Sequence, residues 1–145
     1  MARDRTLDPP LAKQILIFPM LDDRNLSPLE EIEPLAVWKC DDNITGWRAL
    51  LGNAAGDRTP HAVSAYAAPA RAVKLGGLPP TYIECGQLDI FCFEDIHYAT
   101  RLLEARVPTE LHIYPGQPHG FMLLAPDSRY SKLATSNVLA AIEGI

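Results

Sequence analysis

The chain has 145 residues, enough for one domain with a real core. Its composition, 48% hydrophobic and 21% charged with a net charge of -5, is that of an ordinary soluble globular protein and argues against nucleic acid as the main partner. No apolar stretch reaches the roughly 18 residues of a membrane span, and the opening MARDRTLDPP lacks the basic-then-apolar layout of a signal peptide.

The first element is QILIFPM, residues 14–20. Its short, nearly continuous apolar run predicts a parallel strand buried on both faces. Residues from about 22 to 62 then break the rhythm, with Pro28, Pro34, Pro60, Trp38, Trp47 and no clear strand. Within them Ser27-Pro28-Leu29 followed by Glu30 and Glu31 reads as a helix start with acids in its first turn. Trp47, Leu50 and Leu51 read as a second short helix, ended by Gly52. A long excursion over the C-terminal edge of a parallel sheet suits a substrate lid; the plainer alternative is a surface insertion with no role.

TYIECG (81–86) is the second predicted strand, and ELHIYPG (110–116) the third. Between them FCFEDIHYATRLLEAR predicts an amphipathic helix suited to a right-handed crossover. Phe91, Ala99, Leu102 and Leu103 fall on one face, with Glu94, Asp95, Arg101 and Glu104 mostly elsewhere. Glu94 and Asp95, in the first turn, read as structural acids complementing the helix dipole. A last helix begins at a cap, Asp127 or Ser128, and repeats Tyr130, Leu133, Ala134, Val138, Ala141 and Ile142 at helical spacing. The fold class is therefore α/β: one domain of parallel strands with flanking helices. Three strands make a small sheet, and the first would be left as an uncovered edge.

Two residues carry the candidate chemistry. His119 lies in YPGQPHGFM and Asp89 in TYIECGQLD, each just past a predicted strand. A carboxylate and an imidazole on loops after buried strands present an orienting acid and a general base in hydrolytic triads. Alone, His119 reads as a loop histidine with a structural hydrogen bond. Asp89 alone reads as a helix cap. Together they favour catalysis. His61, His97 and His112 are weaker: His112 should pack between sheet and helix and His97 should face solvent. No Cys/His spacing suits zinc. Cys40, Cys85 and Cys92 form no C-x-x-C pair and read as reduced thiols of a cytoplasmic protein. Cys92 is a poor nucleophile candidate, at a helix start rather than on an elbow. The sequence contains no G-x-S-x-G. GNAAG (52–56) has the glycines but no nucleophile.

QILIFPMLDDR, SAYAAPARA (64–72), LPPTYIECGQLDIF, VPTELHIYPGQPHGF and LLAPDSRYS together resemble the C-terminal half of an α/β-hydrolase of the hormone-sensitive-lipase type. The resemblance covers nearly the whole chain, from a helix remnant at Ala2-Arg3-Asp4-Arg5 onward. It implies a carboxylester hydrolase of the esterase or lipase kind, with Asp89 as the triad acid and His119 as the base. The family order is Ser, then Asp, then His. The serine elbow and oxyanion loop would lie upstream, so this chain alone should be inactive. Relatives usually carry a basic and an acidic residue where Cys92 and Phe93 stand. No cofactor or metal is implied. The implied substrate is a small ester with a short acyl group, its pocket shaped in part by Trp38 and Trp47. The implied partner is a second copy, through the unpaired first strand or through Glu110 to Tyr114 and the final helix, or a chain carrying the missing half. The alternative class is a non-catalytic binding module derived from a truncated hydrolase.

Overall fold

The computed structural model describes residue 4 and residues 6–145. Apart from Asp4, the helix remnant expected at 2–5 lies outside them. Three parallel strands form one sheet in the order β1-β2-β3: β1 Gln14–Ile17, β2 Thr81–Gly86 and β3 Thr109–Tyr114. Thr81 pairs with Gln14 on one side and Thr109 on the other, which sets the register of both ladders.

Only β2 is buried along its whole length. The two-faced burial expected of β1 fails, since Ile17 is exposed, and β3 likewise leaves Glu110 and Leu111 exposed. Each is a sheet edge and lacks a neighbour on its outer side among the described residues. β1 is also shorter than the apolar run. Phe18 still donates to the Glu84 carbonyl, but its φ of 49° turns the chain, and Pro19 has no N–H to continue the ladder.

Between β2 and β3 runs α2, Cys92–Glu104. Tyr98, Ala99 and Leu102 pack against Leu21, Ile83 and Val107, with Leu16 at the margin. The helix is rotated from the face read in the sequence. Leu103 is exposed, whereas Glu94 and Asp95 are buried. The 21–36 segment folds over the start of α2: Leu21 and Asp22 donate backbone N–H groups to Glu94, and Ala36 packs on Ile90, Phe91 and Cys92.

The helix expected from Ser27 is absent. Residues 29–36 form hydrogen-bonded turns instead. α1 runs Cys40–Leu51, and Gly52, at φ 59°, ends it as the sequence indicated. A single-turn helix, α3 Phe121–Leu124, follows Gly120 at φ 66°. α4 is Arg129–Glu143. Ser128, not Asp127, caps it, its Oγ accepting the Ser131 N–H at 3.2 Å. α4 buries only small residues, Ser131, Ala134 and Ala141; Leu133 and Ile142 of the expected apolar stripe are exposed. All three cysteines are free and buried. Among the described residues no helix is long and apolar enough to cross a membrane.

Candidate active site

The turns after β2 and β3 lie side by side because their strands are paired neighbours. Backbone hydrogen bonds then join them: Gln87 N–H to the Tyr114 carbonyl at 3.0 Å and Leu88 N–H to the Gln117 carbonyl at 2.9 Å. The Gln87 side chain accepts the Gly116 N–H at 2.9 Å. Such close approach requires a glycine at the end of β2. A Cβ on Gly86 would overlap the Gln117 carbonyl oxygen and stand 2.9 Å from that of Pro118.

These two turns carry Asp89 and His119. The His119 Nδ1 lies 2.8 Å from Asp89 Oδ2. An ionised carboxylate can only accept, so in this contact Nδ1 is the donor and Nε2 is left pointing away from the acid. Asp89 is fully buried, and its Oδ1 accepts the Phe91 N–H at 3.0 Å. The two readings of Asp89 thus coexist on different oxygens, one fixing the turn before α2 and the other fixing the imidazole. Three aromatic rings surround that imidazole: Phe18 at 5.4 Å between centroids, Phe91 at 5.5 Å and Trp38 at 6.1 Å. The His119 side chain keeps 26% of its surface exposed. The arrangement can orient one tautomer and move a proton at Nε2.

Of the other histidines, His97 and His61 are exposed, and His112 contacts Glu110 at 2.7 Å and the Tyr82 and Tyr114 rings. Cys92 is buried beneath the acid's turn. Trp38 stands beside His119, but Trp47 is core, packed with Val63 and Ala68. Two large clefts, of about 520 and 660 Å³, are lined around Arg24 and Arg58 and include neither Asp89 nor His119.

Two acids read as structural complements of the helix dipole are perturbed. Burial pushes Glu94 up to about 7, against the hydrogen bonds it accepts from Leu21, Asn25 and Asp22. Burial likewise raises Asp95 to about 9, against the Cys85 thiol beside it. Glu94 thereby clamps the 21–25 segment onto α2, and Asn25 adds a bond to the Ile90 carbonyl. The sequence carried no sign of this, because the clamp depends on a segment about seventy residues away.

The family described as alpha/beta hydrolase fold matches residues 1–123 of the chain. The chain belongs to the alpha/beta hydrolase fold family. Its resemblance to the hormone-sensitive-lipase type holds. It is similar to Esterase LipI of Mycobacterium tuberculosis, 31% identical over 137 residues, which cover 92% of this chain and 41% of LipI. Among solved structures it is similar to a bacterial heroin esterase, at 40% identity and TM-score 0.84, covering 97% of this chain and 44% of that one. It is also similar to the esterase LipW from Mycobacterium marinum, at 37% identity and TM-score 0.73, covering 99% of this chain and 41% of that one. This α/β-hydrolase chain thus spans less than half the length of the relatives it matches.

Proposed function

We propose that the chain supplies the acid and base of a carboxylester hydrolase acting on small esters with short acyl groups, with a serine nucleophile that residues 1–145 do not contain. The observation that carries this reading is the 2.8 Å contact between His119 Nδ1 and the buried Asp89 carboxylate, at the strand ends where such pairs work. In the first step the serine oxygen attacks the ester carbonyl and gives its proton to His119 Nε2. The imidazolium, its charge stabilised by Asp89, then gives that proton to the departing alkoxide. Water repeats the cycle on the acyl-enzyme. Esterases among the relatives support the reaction class.

The same reading puts a partner on β1. Gln14 and Phe18 donate towards β2, so by strand geometry the backbone groups of Ile15 and Ile17 face the other way, and no described strand pairs with them. A strand from a second copy or from a chain bearing the nucleophile fits that edge. Three reduced thiols suit a cytoplasmic setting.

The test is a nitrophenyl-ester assay with a fluorophosphonate probe of reactive serines. Residues 1–145 alone should show neither turnover nor labelling. Joined behind the upstream portion of a LipW-like relative, they should show both. Saturable turnover by the chain alone, abolished by His119→Ala, would reveal an internal nucleophile and overturn the proposal.

A further inference from the structure

Strand alternation should send Phe18 to the same face as Leu16, into the cluster under α2. The structure sends it elsewhere. Leu16 packs with Ile83 and Leu102, but Phe18 packs with Tyr114 and Phe121 in a separate cluster. The switch is made by a φ of 49°. That conformation is rare for any residue with a bulky side chain, and the following Pro19 disfavours it further, since a residue before proline is pushed towards extended backbone. Strain of this kind persists where the surroundings over-determine it, and it concentrates at functional sites.

The strained turn accomplishes one visible thing. It lays the Phe18 ring 5.4 Å from the His119 ring, tilted by 55°, and 5.4 Å from Phe121, edge-on at 80°. Phe121 begins α3 directly after the His119-Gly120 turn and is itself buried. One ring therefore braces both the imidazole and the helix that ends its loop. The Asp89 contact fixes Nδ1 but leaves the ring free to rock about that bond. Phe18, with Phe91 in an edge contact at 76°, closes that freedom from the side.

We infer that Phe18 is a positioning residue, held in a strained backbone so that its ring fixes the plane of the His119 imidazole and the direction of Nε2. This rests on the acid–base reading of Asp89 and His119. Phe18 would not touch substrate; it acts through His119.

The test uses the 145-residue chain with labelled histidine in NMR. In the wild type the Nδ1 proton shared with Asp89 should give a far-downfield resonance, the ring nitrogens should report a single tautomer, and cross-relaxation should link Phe18 ring protons to His119. Phe18→Tyr keeps the ring and should retain the resonance. Phe18→Leu should lose it through exchange and shift both ring nitrogens towards the tautomer average, with circular dichroism confirming the fold. A folded Phe18→Leu with the resonance and nitrogen shifts unchanged overturns the positioning role and leaves the dyad standing. A wild type without the resonance overturns the dyad and the positioning role together. If Phe18→Leu does not fold, the wild-type cross-relaxation decides: its absence overturns the inference and its presence, with retention in Phe18→Tyr, supports it.

Discussion

Gly86 and Gln117 are in contact across the two turns that carry the acid and the base, so closely that a methyl group on Gly86 would overlap the Gln117 carbonyl oxygen. The neighbour is backbone, which cannot rotate away. Two hydrogen bonds beside it, from Leu88 to Gln117 and from Gly116 to Gln87, hold the turns at this spacing. The Asp89–His119 distance is thus set by main chain rather than by the two side chains.

Gly86→Ala should therefore push the 116–119 turn away from β2. Overpacking of this kind costs about 1–3 kcal/mol. Thermal or urea unfolding would register the loss, and the His119 imidazole signals would shift in the folded fraction. An alanine variant with wild-type stability and unchanged histidine signals would show that the turns are not locked in this way.

Arg71→Ala should destabilise the fold more. Its guanidinium holds the fully buried Asp23 through contacts of 2.5 and 2.7 Å, and Asp23 also accepts the Gly56 N–H at 2.9 Å. Burial pushes the Asp23 carboxyl up, but Arg71 and the Gly56 N–H outweigh it and hold the group below its ordinary value. Removing one partner of a buried pair costs about 3–5 kcal/mol, because the other charge is left uncompensated. Urea denaturation of Arg71→Ala against Arg71→Lys checks this, with the lysine variant expected in between.

The strand TYIECG and the Asp89–His119 pair were legible because each is a local signal: a closed apolar run, and polar residues set in glycine- and proline-rich turns after strands. The burial of β1 and β3 was not legible. An apolar run states what a strand can bury, and only its neighbours decide what it does bury. Glu94 shows the same limit on a helix, where position in the first turn suggested an acid complementing the dipole and the returning 21–25 segment buried it. The rotation of α2 that exposes Leu103 follows from the same packing. The turn at Phe18 left one trace, the proline behind it, which marks a strand end but not a positive φ.

Two buried acids predict a pH dependence. Glu94 rises from 4.5 to about 7 and Asp95 from 3.8 to about 9, in both cases chiefly through burial. The folded state therefore holds protons that the unfolded chain releases first. This contribution is fully present below the unfolded values and is lost as pH climbs through the folded ones, so stability should fall between about pH 4 and pH 9. Asp95→Asn keeps the shape without the titration and should flatten that fall. Urea midpoints across the range measure it; equal slopes in variant and wild type would refute the assignment.

Ester hydrolysis by this fold depends, as proposed, on Asp89 and His119 acting as acid and base. The most direct measurement is ester hydrolysis by the chain joined behind a serine-bearing upstream portion of a relative, comparing wild type with His119→Ala and Asp89→Asn. The buried 2.8 Å contact predicts that Asp89→Asn, which disturbs the tautomer without emptying the site, lowers kcat by about 10⁴-fold, and that His119→Ala is at least as severe. Turnover in either variant within a few-fold of wild type, in folded protein, would contradict the account.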